Sequence, residues 1–463
     1  MAKTEIATLP NQIDEILEII GWVDTKRDHG NIVFLDIRDR SGSVQVVVFK
    51  KELLPIASSF GAEDLVKITG KVQKRPDKLV NPNIATGTIE FAAEEIELVS
   101  KSAPLPFEVN QSSEDVSEVL RFEYRYLDLR TERMKNNLMY RHKINHFFRN
   151  HLEKRGFWEI ETPTLTKGTP EGAREYIVPS RLQEGKFFVL PQSPQQFKQL
   201  LMVGGIEKYY QIARCFRDED QRGDRQPEFT QLDLEASFVS QEEILSLVEE
   251  MTIGLVKSIF PNKKIANEPF QRMTYAEAIE KYQSDKPDIR KNPEDLEELA
   301  FLWVVDFPMF EYSKTEKKLV ASHHPFTRPL DSDIEMLDAT PEKARAAAYD
   351  LVLNGSEIGG GSLRIHEPEL QEKIFELLSL STEETRARFG HMLKAFTFAA
   401  PPHGGFAFGL DRLISILMNQ RSIREMIAFP KTGDAKDPLT GAPDHVSEAT
   451  LKEAHIGIIQ KKK

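Results

Sequence analysis

One stretch of the chain, residues 209–238, restricts the fold more than any other. Two segments of strand-like composition, Tyr209–Arg217 and Phe229–Phe238, flank a loop, 218–226, in which most side chains are charged. Successive side chains of a strand point to opposite faces of a sheet. The second segment therefore carries a polar face and an apolar face, formed respectively by Gln231, Asp233 and Glu235 and by Leu232, Leu234 and Ala236. This pattern predicts a β-hairpin that packs one side into a core.

The polar face of this hairpin has two interpretations. A charged strand face is usually solvated, but here arginines and acids also crowd the adjoining loop, which is longer than a turn needs. Long loops inside compact domains are often functional. Opposite charges on one sheet surface suit a ligand that carries both signs, such as an amino acid together with a polyphosphate, because arginine offers a planar fork of donors. Cys215, among apolar neighbours, is expected to be a small core residue.

Composition excludes several classes of protein. A single Cys among 463 residues excludes a disulfide framework and a zinc site built from several cysteines. The N-terminal residues lack a signal-peptide core, and no later apolar run is long enough to span a bilayer. The net charge of −12 argues against general binding of polyanions, so contact with nucleic acid must come from local basic patches. A soluble, cytoplasmic protein without a membrane partner is expected.

The first hundred residues favour a small β-domain. Four segments are rich in β-branched residues and are separated by Gly and Asn-Pro punctuation, namely Ile32–Ile37, Val44–Phe49, Leu65–Val72 and Thr88–Leu98. One short helix is predicted near Lys50–Ser59. A five-stranded barrel with one small helix is typical of the OB-fold. Counting strands does not by itself exclude another small β-domain.

The rest of the chain follows a polar, proline-bearing segment, 101–118, which is predicted to link two domains. Helical spacing of apolar residues extends over Arg133–Arg155, and Ser240 with Glu243 forms a capping box that opens a second helix. Strand-like segments lie between and after these helices without a regular β–α alternation. That grouping favours an α+β domain with an antiparallel sheet. The polar segment Ser284–Glu298 is predicted to be a surface connection.

The hairpin sequence ARCFRDEDQRGDRQPEFTQLDLE closely resembles motif 2 of class II aminoacyl-tRNA synthetases, in the form found in bacterial-type aspartyl-tRNA synthetases. TPTLTKGTPEGAREYIVPS resembles the end of motif 1 with the substrate loop, and LPQSPQQFKQLLM resembles the amino-acid-binding segment. HHPFT, NGSEIGGGSLRIH and GGFAFGLDRL resemble the remaining active-site segments. The resemblance covers nearly the whole chain, and motifs this long and in this order are very specific.

The resemblance implies an N-terminal OB-fold β-barrel for anticodon binding, residues 1–103, a linker or hinge, 104–130, and a class II catalytic domain, 131–463. The catalytic domain is expected to be α+β, with an antiparallel sheet flanked by helices. Bacterial-type relatives usually carry a domain-sized insertion between motifs 2 and 3, and it is missing here near 284–300. Activation chemistry is expected to survive that loss, whereas contacts with the acceptor side of tRNA are expected to weaken.

The implied reaction has two steps: ATP activates L-aspartate to aspartyl-adenylate, and the aspartyl group then passes to the 3′ end of tRNA-Asp. By resemblance, Arg217 contacts the α-phosphate and the region of the aspartate α-carboxylate. Phe229 stacks on the adenine face, and Arg412 covers the other face and reaches the γ-phosphate; a surface helix residue is the alternative for Arg412. The remaining residues implied in ATP binding are Asp218, Glu219, Gln226, Glu357, Gly409, Leu410 and Asp411.

The family also implies Mg²⁺, held by Asp350 and Glu357, because carboxylate oxygens suit this ion. From the residues alone, two acids near an Asn-Gly turn are better interpreted as exposed hairpin residues, and only the resemblance favours a metal site. Glu357 and Arg364 are an odd number of positions apart, so a regular strand would place them on opposite faces. We therefore predict a bulge or kink within Gly359–Gly361.

Selection of aspartate requires cations for the side-chain carboxylate and an acid for the α-ammonium. The resemblance implies Lys198 and Arg364 as the cations and Asp233 as the acid. The other residues implied in aspartate binding are Ser193, Gln195, Glu171 on the substrate loop, His323 and His324. A histidine pair is more often structural, and only its place in HHPFT favours a role with substrate. Pro163 resembles the motif 1 proline of the dimer interface, which implies a homodimer, although it also suits a connector between helix and strand.

In the barrel, the resemblance implies that Phe34 stacks on an anticodon base, Gln45 reads a base edge and Arg27 lies near the backbone. A core position for Phe34 fits its apolar strand equally well. His29 resembles enzymes that also charge tRNA-Asn, whereas Lys78 resembles enzymes restricted to tRNA-Asp. The segment KRDHGN favours relaxed specificity.

Two rival functions stay open on the sequence. An asparagine or lysine enzyme is opposed by Lys198 and Arg364, because a neutral or cationic side chain gains nothing from that pair. A non-catalytic, RNA-binding paralogue is expected to lose the ATP and metal residues, yet Arg217, Glu357 and Arg412 are present. Pyrophosphate exchange with each amino acid separates these functions.

Overall fold

The computed structural model describes residues 3–168, 173–220, 223–314 and 317–459. The chain forms two compact units, the first composed of Met1–Ser117 and Tyr126–Lys135 and the second of Glu118–Arg125 and Asn136–Lys463. Within the described ranges, no helix combines the length and the apolar character that crossing a membrane requires.

The first unit contains a closed barrel of five strands in the order β1-β2-β3-β5-β4, which confirms the predicted OB-fold. Every neighbouring pair is antiparallel except β3 and β5. Alternate residues of the strands are fully buried inside, as Val33, Leu35 and Ile37 show. The barrel elements are β1 (Ile16–Asp28), β2 (Val33–Arg38), β3 (Ser43–Val48), α1 (Leu54–Ser59), β4 (Leu65–Lys74) and β5 (Ile89–Ser100), with 3-10 turns at Ile6–Asn11 and Asp77–Leu79.

The longest barrel strand, β1, was not among the four segments that the sequence pattern identified. Adjacent apolar residues and Gly21 obscure its alternation, although buried and less buried positions do alternate from Ile19 to Val23. A Cβ added at Gly21 would lie 2.5 Å from the carbonyl oxygen of Arg38. The glycine is therefore required by the close approach of β1 and β2 and does not mark a turn.

The predicted linker, 104–130, is only partly irregular. Two short helices, α2 (Glu118–Glu123) and α3 (Arg125–Asp128), lie within it, and α4 (Glu132–Glu153) follows almost at once. The sequence did not predict these two helices, because the proline and serine signals that suggested a linker end before Glu118.

The second unit is built on an eight-stranded sheet in the order β12-β14-β17-β18-β19-β10-β9-β6. The six central strands are antiparallel, as predicted, but the edge pairs β12–β14 and β6–β9 are parallel, so the sheet is mixed. Its strands and those of three two-stranded sheets are β6 (Trp158–Glu159), β7 (Ile177–Pro179), β8 (Phe187–Val189), β9 (Lys208–Phe216), β10 (Glu228–Ser237), β11 (Lys264–Ile265), β12 (Gln271–Thr274), β13 (Glu298–Leu299), β14 (Phe301–Val305), β15 (Phe310–Ser313), β16 (Lys318–Ala321), β17 (Ala348–Leu353), β18 (Ser356–Leu363) and β19 (His403–Gly409).

Helices pack against this sheet. They are α5 (Gln195–Val203), α6 (Gln241–Ile259), α7 (Tyr275–Tyr282), α8 (Met336–Ala339), α9 (Pro368–Leu377), α10 (Thr382–Phe396), α11 (Leu410–Leu417) and α12 (Glu448–Glu453), with 3-10 turns at Asp331–Asp333, Pro341–Lys343 and Ile423–Met426. The predicted capping box is present: the Ser240 hydroxyl accepts from the Glu243 amide at 3.3 Å, and the Glu243 carboxylate accepts from the Ser240 amide at 2.8 Å.

The apolar face of the sheet packs on α4, α6 and α11. Leu232 and Leu234 of β10 join Phe406 and Phe408 of β19 in one core, together with Phe148 of α4. Burying this face leaves the opposite face, which carries the polar side chains of β10, free of the core. The functional site is built on that opposite face.

Candidate functional site

Strand register brings polar side chains from three strands, β10, β17 and β18, onto one face. Asp233 of β10 lies opposite Ala407 of β19, and Glu235 lies opposite Gly405. A Cβ added at Gly405 would stand 1.9 Å from Glu235 Oε2, so only glycine leaves room for that carboxylate. The predicted separation of polar and apolar faces in β10 is confirmed.

A β-bulge sets the face on which Glu357 lies. Leu351 of β17 pairs with Gly359, whereas the next residue, Val352, pairs with Glu357, so Ile358 is an extra residue in β18. This extra residue places Glu357 on the same face as Arg364, which follows the strand, despite their odd separation.

The predicted bulge therefore exists, but the prediction was wrong about its position. Gly359, Gly360 and Gly361 pair without a register shift with both β17 and β19. These glycines instead leave room for neighbouring groups, since a Cβ at Gly360 would lie 2.2 Å from Asp350 Oδ1. Sequence reasoning took the glycines for the irregularity and did not consider the residue before them.

The polar face forms the floor of a cavity of about 960 Å³ in the second unit. It brings together most of the residues proposed from sequence: Ser193, Gln195, Lys198, Arg217, Glu219, Gln226, Phe229, Asp233, His323, His324, Asp350, Glu357, Arg364, Gly409, Asp411 and Arg412. Asp218 is exposed outside the lining, where its amide donates to the carbonyl of Arg174 at 3.0 Å. The side chain of Leu410 is fully buried in the apolar core and also lies outside the cavity. Glu171 lies outside the described residues.

Three residues of a buried charged centre line the cavity floor, Lys198, Asp233 and Arg364, and the two cations pair with the fourth residue of this centre, Glu235, which lies outside the lining. Lys198 Nζ lies 2.7 Å from Asp233 Oδ1 and 3.0 Å from Glu235 Oε2. Arg364 donates to the same Glu235 through Nε at 3.0 Å and through Nη2 at 3.2 Å, and its Nη1 donates to the Ser362 hydroxyl at 2.6 Å. Lys198 is 2% exposed and Arg364 is 5% exposed. Glu235 thus holds both cations in place.

The two carboxylates of this centre differ in their surroundings. Burial opposes ionisation of Glu235, but Arg364 and Lys198 outweigh it and lower its pKa to about 2. Burial raises the pKa of Asp233, against the attraction of Lys198. The difference follows from geometry, because Glu235 contacts two cations and Asp233 only one. Sequence reasoning placed Glu235 on the correct face but gave it no role.

One acceptor and several donors of this centre remain available to a ligand within the described structure. Asp233 Oδ2 is buried and lacks a hydrogen-bond partner among the described residues. A guanidinium has five N–H groups and an ammonium three. The bonds described above use three of the N–H groups of Arg364 and two of the N–H groups of Lys198. The pair therefore retains N–H donors for an anionic ligand. An acceptor beside these donors suits a zwitterion that bears an extra carboxylate.

A second set of residues lines the cavity where β9 and β10 meet the charged loop. The Arg217 guanidinium lies over the Phe229 ring, 5.0 Å from its centroid, and Arg217 Nε is buried without a hydrogen-bond partner in the described structure. Arg225 pairs with Glu219 at 2.7 Å. The Gln226 amide is held at both ends by the Lys431 backbone, at 3.0 and 2.8 Å. A planar aromatic face and an unused cationic donor suit a nucleotide.

The start of α11 supplies the opposite wall. Arg412 donates to the Glu357 carbonyl oxygen at 2.6 Å and lies 3.3 Å from Asp224 of the loop. Asp411 accepts from the Thr230 amide at 3.0 Å and also pairs with Arg141. Asp411 therefore fastens α11 to β10, while Arg412 faces the cavity.

Two acids lie side by side on β17 and β18. Burial and the neighbouring Glu357 charge raise the pKa of Asp350 well above its usual value. Burial also acts on Glu357, but Lys286, whose Nζ lies 2.8 Å from Glu357 Oε2, lowers the pKa of that carboxyl. Within the described ranges, no cluster of three or more metal-ligating side chains occurs. Both acids line the cavity, and oxygen ligands of this kind are those that a magnesium ion prefers.

The position of Lys286 corrects one sequence prediction. The connection that leads from α7 to β13 was predicted to be only a surface segment, yet Asp285 and Lys286 line the cavity. Their polar composition gave no signal that separates lining residues from solvated ones.

The histidine pair lies at the edge of the cavity. The ring of His323 packs edge-on against Phe307 at 4.5 Å, and burial lowers its pKa, so a neutral imidazole is favoured. His324 packs on Phe326 at 4.8 Å. Aromatic packing accounts for the position of both rings, and both still face the cavity.

In the barrel, four predicted residues share one outward patch. Arg27 lies over the Phe34 ring at 5.8 Å and 3.5 Å from Gln45 Oε1, and the His29 ring meets Phe34 at 5.9 Å. Phe34 is half-buried on the outer face of β2, so the alternative of a core position is wrong. Lys78 is exposed on the turn Asp77–Leu79.

Pro163 is exposed in the second unit, shortly after the edge strand β6. Trp158 of this strand is 63% exposed. An edge strand with an exposed tryptophan is a surface suited to burial by another chain.

Comparisons with known proteins agree with these two units. Residues 117–433 match the family model of class II tRNA synthetases (D, K and N), and residues 17–99 match that of the OB-fold nucleic acid binding domain. The chain is 40% identical to the aspartate–tRNA(Asp/Asn) ligase of Dictyoglomus turgidum, with 96% of each chain covered. It is also 40% identical to the aspartate–tRNA ligase of Staphylococcus saprophyticus, with 96% of this chain and 97% of the relative covered.

The alignment with the D. turgidum relative extends over 572 positions, whereas this chain has 463 residues, so the relative carries segments with no counterpart here. Among solved structures, the fold resembles asparaginyl-tRNA synthetase from Pyrococcus horikoshii complexed with asparaginyl-adenylate (TM-score 0.75, 23% identity, covering 93% and 98% of the two chains). It also resembles aspartyl-tRNA synthetase from Entamoeba histolytica (TM-score 0.72, 24% identity, covering 93% and 91%).

Proposed function

Because the chain belongs to the class II tRNA synthetases and, within them, to the aspartate–tRNA ligases, we propose that its cavity binds L-aspartate and ATP and joins aspartate to tRNA-Asp. The observation that carries this proposal is the buried pair Lys198 and Arg364, held by Glu235 next to Asp233 Oδ2, which has no hydrogen-bond partner in the described part of the chain. Aspartate-dependent exchange of pyrophosphate into ATP by the purified protein, without tRNA, tests it.

In the proposed complex, the aspartate side-chain carboxylate accepts from the unused N–H groups of Lys198 and Arg364. The α-ammonium donates to Asp233, with Ser193 and Gln195 as further polar neighbours. A side-chain carboxylate accepts charge-assisted hydrogen bonds from both cations, whereas an amide offers one neutral oxygen and brings an NH₂ donor with it. The donors of Lys198 and Arg364 therefore favour aspartate over asparagine or lysine.

In the activation step, an oxygen of the aspartate α-carboxylate attacks the α-phosphorus of ATP. A new P–O bond forms, the bond from the α-phosphorus to the bridging oxygen breaks, and pyrophosphate leaves. In the proposed complex, Arg217 contacts the α-phosphate, Phe229 lies beneath the adenine and Arg412 lies on its other side; all three residues line the cavity. Positioning and charge neutralisation suffice for such a transfer. The terminal ribose hydroxyl of tRNA then attacks the carbonyl carbon of the adenylate, and AMP leaves.

Asp350 and Glu357 are the residues that would hold Mg²⁺. A bound Mg²⁺ supplies positive charge that offsets the phosphate oxygens of ATP. Lys286 beside Glu357 already supplies a cation at this position. The retention of these acids with Arg217 and Arg412 in one cavity argues against a non-catalytic paralogue.

The barrel patch supports recognition of single-stranded bases. Phe34 offers an exposed aromatic face bordered by Arg27 and Gln45, which is the arrangement that stacks and reads unpaired nucleotides. His29 against Phe34 supports charging of tRNA-Asn as well as tRNA-Asp, since it contacts the stacking residue, while Lys78 is exposed on a separate turn.

The Phe34→Ala variant is expected to raise the KM for tRNA-Asp about 10–100-fold, because base–aromatic stacking contributes about 1–3 kcal/mol per base. Pyrophosphate exchange without tRNA should be unchanged. Aspartylation assays with purified tRNA-Asp and tRNA-Asn measure both effects, and the wild type should charge both. Wild-type KM in the variant contradicts the stacking role, and no detectable charging of tRNA-Asn contradicts relaxed specificity.

Three further features complete the proposal. The exposed edge beside Trp158 and Pro163 supports a homodimer. The short connection 283–297 supports the absence of the usual insertion, and it retains the lining residues Asp285 and Lys286. Charging of tRNA serves translation, so we expect the enzyme in the cytoplasm.

A further inference from the structure

A chain of three buried side chains runs from the end of the sheet to the cavity. His403 Nε2 lies 3.2 Å from Gln199 Nε2, and Gln195 Nε2 donates to Gln199 Oε1 at 3.0 Å. His403 begins β19, and Gln195 and Gln199 lie one turn apart on α5. Of the three, Gln195 lines the cavity, and neither His403 nor Gln199 does.

We propose that His403 and Gln199 form a hydrogen-bond relay that orients the Gln195 amide so that its carbonyl oxygen, and not its NH₂ group, is presented to the α-ammonium of aspartate. The inference rests on the proposed function, because it assigns the ligand of Gln195. His403 and Gln199 are positioning residues in this account, since neither touches substrate.

The polarity of the relay starts from a backbone carbonyl. His403 Nδ1 lies 2.8 Å from the carbonyl oxygen of Pro401, which can only accept, so Nδ1 carries the proton. Burial lowers the pKa of His403, which favours the neutral ring. A neutral imidazole protonated on Nδ1 has a bare Nε2, and Nε2 therefore accepts.

Each following amide is then fixed in turn. Gln199 must direct its NH₂ group to His403 Nε2, which leaves Gln199 Oε1 as an acceptor. Gln195 must direct its own NH₂ group to that oxygen, and its Oε1 is the end left for a ligand. An α-ammonium is a donor, so an oxygen suits it and an NH₂ group repels it.

The surroundings hold the relay rigid. Gln199 is fully buried, and His403 is 2% exposed. The His403 backbone carbonyl accepts from the Arg364 amide at 2.9 Å, so the base of the relay is fixed to the residue that follows β18. Without the His403 acceptor, the hydrogen bond between Gln199 and Gln195 can form in either orientation of the two amides. Nothing in the relay then determines whether the oxygen or the NH₂ group of Gln195 faces the substrate.

The test is a double-mutant cycle in pyrophosphate exchange with the full-length protein. His403→Leu is expected to raise the KM for aspartate about tenfold, with the KM for ATP and kcat each within about threefold of wild type, because losing the orientation of one hydrogen bond to a charged group weakens the binding of aspartate alone. In a Gln195→Ala background, adding His403→Leu should change the KM for aspartate less than twofold. His403→Gln, whose Oε1 can accept, should restore most of the loss.

Succinate provides a second readout, because it keeps both carboxylates and lacks the α-ammonium. Its inhibition constant should not change in His403→Leu. If His403→Leu does not fold, Gln199→Met replaces it in the same double-mutant cycle. The matched control is His151→Leu, because His151 is a half-buried histidine of α4 that lies outside the cavity lining.

The relay would be overturned if His403→Leu raised the KM for aspartate by the same factor in the wild type and in the Gln195→Ala background. It would also be overturned if His403→Leu weakened inhibition by succinate as much as it weakened the binding of aspartate. Failure of the proposed function is distinguishable from this result, because the wild type would then show no exchange with aspartate at all.

Discussion

Replacing Arg364 by leucine is expected to lower kcat/KM for aspartate in pyrophosphate exchange by about 10³-fold. The substitution removes the donors proposed for the substrate carboxylate and leaves Glu235 with Lys198 as its remaining cation. Losing one partner of a buried charge pair costs about 3–5 kcal/mol, and each 1.36 kcal/mol corresponds to a factor of ten. Steady-state exchange over a range of aspartate concentrations measures the effect.

Arg345→Leu is the matched control for this variant. Arg345 also pairs with a buried carboxylate, Asp333, at 2.8 Å, but neither residue lines the cavity. The control should lose stability, since Arg345 lowers the pKa of Asp333, and yet keep nearly wild-type kcat/KM. Wild-type exchange by a folded Arg364→Leu protein would show that Arg364 does not bind the substrate.

Replacing Arg217 by methionine is expected to lower kcat for exchange by about 10²–10³-fold. Arg217 has a buried Nε without a partner in the described structure and is proposed to neutralise charge that develops at the α-phosphate. Removing one preorganised donor to a developing charge typically has an effect of this size. The binding of ATP should weaken less than kcat falls, because the adenine contact with Phe229 is retained.

Arg214→Met controls for the loss of an arginine from the same hairpin. Arg214 lies three positions earlier in β9 and pairs with Glu228 at 2.5 Å, outside the cavity lining. Its kcat for exchange should stay within about threefold of wild type. A kcat for Arg217→Met equal to that of Arg214→Met would remove Arg217 from the chemical step.

The local patterns of the sequence predicted much of this molecule. The alternation in β10 was sufficient to separate Asp233 and Glu235 from Leu232 and Leu234, because one face of the sheet is buried. The capping box of α6 was predictable because both of its bonds are formed within four residues. Barrel strand β1 was missed, since its pattern depends on how closely β2 approaches Gly21.

The interior of the site depended on contacts between distant segments. Glu235 becomes the counter-ion of two cations only because the fold places Lys198 of α5 and Arg364, which follows β18, next to it. The bulge at Ile358 follows from the pairing of β17 with β18 and has no local signature. Lys286 reaches Glu357 from a polar connection that resembles any surface loop. Such features depend on how distant segments pair and pack in the folded chain, and a single sequence does not reveal those pairings.

The most direct test of the central claim is the amino-acid selectivity of the unmodified protein in pyrophosphate exchange. The buried cations Lys198 and Arg364 require an anionic side chain, so kcat/KM for L-aspartate should exceed that for L-asparagine by about 10³-fold or more; sites built around a buried polar partner reject analogues that lack it by about 10⁴–10⁵. Equal values for the two amino acids, or a preference for asparagine, would contradict the account.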